Sequence, residues 1–270
     1  MSKGEPSRVL TSEQAEGNQR DVTQEQSRVV LISEGTSSLG EAIAREFARA
    51  GFRVAISGRS AERLDHVKRE LENLSPEHGN PEVRILSLIM NLEHQEQVDT
   101  LVSQVIEKFG RLDALINNAE HIVKSTDLLD RNFFTDFQNV LQVNLFAATR
   151  LAQLAAPYLI RSPRGVIVNV CSFRGAATSN ISNSIAKAGI SMFTKTLANE
   201  FEGSKVRVVA VAPGSNTTLR TPETENVLST SMLDEKDDTE EVANVVRFLE
   251  SEEASFVHGC TIDINTSPLA

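Results

Sequence analysis

From Arg28 onward, short runs of apolar and β-branched residues alternate with longer amphipathic stretches. Val29-Val30-Leu31-Ile32 predicts a buried strand, and residues 41–50 predict a helix that Gly51 ends. The same pattern predicts strands over 52–57, 83–88, 112–116, 165–170, 206–211 and 261–264. Helices are predicted over 60–73, 94–109, 182–201 and 239–249, and one long helical region over 134–160. Strands that are apolar throughout, rather than alternating, belong to a parallel sheet covered on both faces. The predicted fold class is therefore α/β, a single doubly wound parallel sheet within residues 28–270. No internal repeat is visible.

Length and composition narrow this further. A chain of 270 residues allows one large domain or two small ones, and no apolar run reaches the ~18 residues of a membrane span. Residues 1–27 lack any apolar stretch and carry Glu5, Glu13, Glu16, Asp21 and Glu25. A signal peptide needs an apolar centre and a transit peptide is poor in acids, so a disordered polar tail is expected. The net charge of −10 makes nucleic acid and anionic membranes poor partners. Nine carboxylates lie between Asp234 and Glu253 against only Lys236 and Arg247, the pattern of a solvated helix face. Two cysteines, Cys171 and Cys260, make no disulfide framework and suggest reduced thiols in a cytoplasmic protein.

Open parallel sheets bind ligands beyond the carboxyl ends of their strands. After the first predicted strand comes Ser33-Glu34-Gly35-Thr36-Ser37-Ser38-Leu39-Gly40, opening a helix. Such a turn lets a pyrophosphate approach backbone N–H groups at a positive helix end, although serine and glycine there can also be a simple cap. Asn117-Asn118-Ala119 follows the fourth strand, Asn144 lies in the long helical region, and Ser172 follows the fifth strand. Lys187 sits in Ile185-Ala186-Lys187-Ala188-Gly189, and Pro213-Gly214 with Thr218 follow the sixth strand.

In this order and spacing, residues 28–265 resemble the short-chain dehydrogenase/reductase family. The resemblance implies a Rossmann-type fold, a nicotinamide cofactor and hydride transfer at a carbonyl or alcohol carbon of a small molecule. It also implies an oligomer, commonly of identical subunits. By the same resemblance, Ser33, Gly35, Ser38, Leu39, Gly40, Arg59, Asn91, Asn118, Lys187, Pro213, Gly214 and Thr218 are the expected cofactor positions. Asn144, Ser172, Asn183 and Lys187 are the expected catalytic positions. No metal is implied.

The chain also departs from the family. Aligned through Gly40, the family's T-G-x-x-x-G-x-G places Glu34 on its first glycine and Ser38 on its middle one, with Gly35 one place away. A Glu34 carboxylate turned inward would repel a pyrophosphate, whereas one turned to solvent would cost little. At an effective dielectric of about 20, unit charges ~4 Å apart repel by ~4 kcal/mol. The family's N-N-A-G ends here in Glu120, and the aspartate after its third strand falls on Asn91. Its NAD-selecting acid falls on Gly58, and Arg59 follows, so NADP is the expected cofactor, with weak or absent binding.

The family's catalytic Y-x-x-x-K puts Asn183 where its tyrosine belongs, one turn before Lys187. The chain's single tyrosine, Tyr158, is predicted on another helix. An amide can donate a hydrogen bond but cannot release and regain a proton near neutral pH. Two readings result. One is a pseudoenzyme that keeps the fold and serves as a sensor or as a subunit of a homo- or hetero-oligomer. The other is an active NADP-dependent oxidoreductase that uses Ser172 and Lys187 with a substitute donor, drawn from Ser182, Ser184, Cys171 or His121.

Overall fold

Val29–Ile32 form β1, four residues without solvent exposure, whose side chains alternate between the two faces of a sheet. The computed structural model describes residues 28–74, 84–123, 127–171, 181–213 and 235–264, with backbone only over 235–238. The other strands are β2 (Arg53–Gly58), β3 (Ile85–Ile89), β4 (Ala114–Asn117), β5 (Val166–Val170), β6 (Arg207–Pro213) and β7 (Thr261–Ile264). All pair in parallel in the order β3-β2-β1-β4-β5-β6-β7. The doubly wound sheet expected from the sequence is therefore present.

Helices cover both faces. The side chains of Val30, Ile32, Ile56 and Val168 meet α1 (Ser38–Arg49), α2 (Ala61–Leu74) and α7 (Glu235–Glu250). Those of Val29, Leu31, Leu115 and Ile167 meet α3 (Gln95–Phe109), α5 (Ala148–Leu159) and α6 (Ile181–Glu200). This two-sided burial is why the strands read as continuous apolar runs. Among the described residues, no helix is long and apolar enough to cross a membrane.

Three expectations need correction. The region 134–160 is not one regular helix: α4 (Phe133–Leu141) passes into a π-helical turn, Gln142–Ala147, before α5. Helix α1 starts at Ser38, three residues before the expected start, because the Ser37 hydroxyl caps the Gly40 N–H at 3.1 Å. The acidic run is not wholly a solvated face, since Glu250 is fully buried. Its carboxylate meets Arg28 and lies 2.7 Å from the Arg247 guanidinium. Burial pushes its carboxyl up to about 7, against the pull of Arg28, Arg247, Arg164 and Arg207. The tail 1–27 lies outside the described residues.

Candidate functional site

Strands β1 and β4 are neighbours, yet β1 leads toward β2 on one side and β4 toward β5 on the other. The crevice beyond their carboxyl ends is the switch point where doubly wound sheets bind ligands. The turns after β1 and β4 are tied together there. The Ser33 hydroxyl accepts from the backbone N–H groups of Asn118 and Ala119, each at 3.0 Å. The Asn118 amide donates to the carbonyls of Ser33 and Glu34 at 3.0 and 3.2 Å, and to the Ser37 hydroxyl at 3.2 Å. Gly40 is forced by close approach: a Cβ there would lie 2.3 Å from the Glu34 carbonyl oxygen and 2.8 Å from the Asn118 amide. Gly35 is held as tightly, with a Cβ meeting the Ile56 side chain at 2.6 Å.

Glu34 itself adopts φ +48°, the left-handed region that a side chain disfavours. Its side chain is only 19% exposed, so the inward alternative holds rather than the solvent-facing one. Its carboxylate accepts the Glu120 N–H at 3.4 Å and lies 4.0 Å from the Arg59 guanidinium. Burial pushes the Glu34 carboxyl up, partly offset by the Glu120 N–H, Arg59 and His121, while Glu120 adds to the rise.

From the turn after β4, the Glu120 carboxylate reaches the Lys187 ammonium at 2.9 Å. The lysine side chain is 6% exposed on α6, a position where an ammonium needs a counter-charge. Sequence reasoning marked Glu120 as a replaced glycine but missed this pairing. The available signal was Glu120 itself, an acid at a strand end where the family keeps glycine, in a chain whose Lys187 lacks its phenol.

One turn before Lys187, buried Asn183 accepts a hydrogen bond from the Asn144 amide at 3.1 Å. Asn144 also clamps His121, accepting its N–H at 2.6 Å and donating to its carbonyl at 3.0 Å. The π-helical turn holds the amide at this junction, and such turns recur at functional sites. The His121 ring faces Glu93, with 3.6 Å from its Nδ1 to the carboxylate.

The structure therefore brings Ser33, Gly35, Gly40, Asn118, Asn144, Asn183 and Lys187 together around one crevice. Ser38 is exposed and Leu39 buried at the start of α1. Arg59 follows β2 and is exposed, while buried Gly58 leaves room for Thr36, whose hydroxyl a Cβ would meet at 2.7 Å. Asn91 closes its own turn, accepting the Glu93 N–H at 3.1 Å. Pro213 ends β6, buried. Ser172, Gly214 and Thr218 lie outside the described residues. Tyr158 sits at the other end of the sheet, where its ring meets Arg161 and lines a cavity with Leu112 and Asp113, just before β4. Cys171 is buried and its thiol is pushed up by burial to about 11.

A model of the short chain dehydrogenase family matches residues 28–228. The chain belongs to this family. As a short-chain dehydrogenase it is 36% identical over 248 residues to the 3-oxoacyl-[acyl-carrier-protein] reductase FabG of Thermotoga maritima, covering 88% of this chain and 96% of that protein. The corresponding reductase of Aquifex aeolicus is 34% identical over 251 residues, covering 89% and 96%. Among solved structures, a short chain dehydrogenase from Bacillus anthracis aligns with a TM-score of 0.73 at 29% identity, covering 89% and 96%. Family membership brings with it oxidoreductase ancestry and a nicotinamide dinucleotide. The Glu120 N–H and the Lys187 ammonium, two donors facing the crevice, are both occupied by carboxylates of the chain itself.

Proposed function

We propose that this chain is a short-chain dehydrogenase whose carbonyl or alcohol oxidoreductase chemistry is impaired at proton transfer. The carrying observation is the Asn183 amide one turn before Lys187, hydrogen-bonded to Asn144, with Tyr158 at the opposite end of the sheet. General acid–base help is worth about 10²–10⁴-fold, and an amide supplies none of it. Exposed Arg59 beside Gly58 supports NADP rather than NAD as the ancestral cofactor. The 3-oxoacyl reductases among the relatives support a carbonyl carbon as the ancestral reaction centre.

Two of the named substitutes gain no support. The Cys171 thiol is buried, 1% exposed, and the His121 ring turns to Glu93, 3.6 Å from its Nδ1. The reading therefore favours a sensor or subunit role in the cytoplasm. Exposed Phe134, Phe146, Ile185 and Met192 support association with a second copy or a related chain.

The test is NADPH oxidation with a panel of carbonyl compounds, run beside a FabG-type reductase. Turnover at least about 100-fold below that reductase is expected. Comparable turnover that disappears in Lys187→Ala would overturn the reading.

A further inference from the structure

Glu34 and Glu120 follow the two strands, β1 and β4, that flank the switch point, and both carboxylates turn into the crevice between them. Neither is there for want of a smaller residue. Glu34 holds a left-handed backbone at φ +48°, where glycine is favoured, and Glu120 crosses the crevice from a turn to a lysine on α6. We propose that these two glutamates are built-in occupants of the dinucleotide crevice, closing it to NADPH from within while leaving the fold intact. This deepens the reading above, since it adds exclusion of the cofactor to the loss of proton transfer.

The physical case has three parts. A pyrophosphate binds at the start of the helix after β1, and the turn leading into that helix carries Glu34. Among the described residues, Arg59 is the arginine facing Glu34, 4.0 Å away and 60% exposed, and one solvent-screened cation offsets at most one charge rather than a carboxylate and a phosphate together. Lys187 is already paired with Glu120, so another anion at its ammonium must share the site with that carboxylate or displace the counter-charge of a nearly buried lysine. Like charges about 4 Å apart at an effective dielectric of ~20 weaken binding by roughly a thousandfold.

The experiment is a calorimetric and fluorescence titration of the full chain with NADPH. Wild type, Glu34→Gly, Glu34→Gln, Glu120→Gly and the double glycine variant are compared, and a thermal melt of each confirms folding. Wild type should show no saturation up to millimolar NADPH. Each single glycine variant should bind more tightly, and the double variant should gain on the order of 10²–10³-fold. Glu34→Gln separates charge from bulk, and most of the Glu34→Gly gain should appear in it. Micromolar binding by wild type, or no gain in Glu34→Gly and Glu34→Gln, overturns the proposal. A gain cannot arise from misfolding, so the test does not depend on every variant being stable. Tight wild-type binding without turnover would sink this inference and spare the proton-transfer reading. Turnover by a reopened variant that retains Asn183 would do the reverse.

Discussion

The Lys187 ammonium lies 2.9 Å from the Glu120 carboxylate, so an ion pair stands one helical turn from the Asn183 amide. Two residues 67 positions apart, each replacing or accompanying a lost family feature, have become partners. The glutamate supplies the counter-charge that this nearly buried ammonium needs.

That dependence predicts the cost of breaking the pair. Glu120→Gln leaves a nearly buried ammonium without its carboxylate, which costs about 2–4 kcal/mol when one partner of such a pair is removed. Adding Lys187→Met removes the stranded charge and should restore most of the loss, giving a coupling energy of ~1–3 kcal/mol in a double-mutant cycle. Urea unfolding of the four proteins measures it. Additive effects would show that the contact contributes nothing.

Backbone strain at Glu34 predicts a different response. At φ +48° a side chain costs roughly 1 kcal/mol that glycine avoids, and glycine's extra freedom in the unfolded chain offsets part of the gain. Glu34→Gly should therefore leave stability unchanged or raise it by up to about 1 kcal/mol. Thermal melts should show Tm unchanged or higher by ~2–4 °C. Glu34→Val, β-branched at the same backbone angle, should lower it.

Local pattern carried the fold. The parallel sheet and its two-sided burial follow from runs such as Val29–Ile32, which are apolar throughout, whereas the strand order is read only from the structure. It did not carry the π turn at Gln142–Ala147, because that turn is fixed by Asn144 clamping the His121 backbone, a contact across 23 positions. The substitutions at Glu34, Glu120 and Asn183 were legible by register, but their orientation was not. Whether Glu34 faces solvent or crevice depends on the Glu120 N–H 86 positions away. Buried Glu250 was hidden for the same reason, since the acidic run around it looks solvated while its partner Arg28 precedes the first strand.

Glu250 predicts how stability changes with pH. Its folded pKa, raised by burial to about 7, lies above the ordinary carboxyl value of 4.5, and Arg28, Arg247, Arg164 and Arg207 oppose the rise. A group with a raised folded pKa stabilises fully below its unfolded pKa and loses that contribution as pH climbs through the folded value. Stability should thus fall between pH ~4.5 and ~7, by an amount on the order of 3 kcal/mol for this group alone. Urea midpoints across that window should slope downward in wild type and flatten in Glu250→Gln. An unchanged slope in the variant would assign the effect to another carboxyl.

Restoring the phenol separates the two obstacles in the crevice. Asn183→Tyr puts an ionisable group at i relative to Lys187 at i+4, on one face of α6. The site is buried and its amide accepts from Asn144, so the larger ring should cost ~1–3 kcal/mol of stability. Alone, Asn183→Tyr should yield little NADPH oxidation, because Glu120 still holds Lys187 and Glu34 still faces the crevice. Combined with Glu34→Gly and Glu120→Gly, it should raise carbonyl-dependent turnover by about 10²–10⁴-fold over the double glycine variant. The rise should follow a pH profile limited by the new phenol. If Asn183→Tyr alone restores turnover, the glutamates do not close the crevice. If the triple variant binds NADPH without any gain in turnover, the missing proton donor is not what limits chemistry.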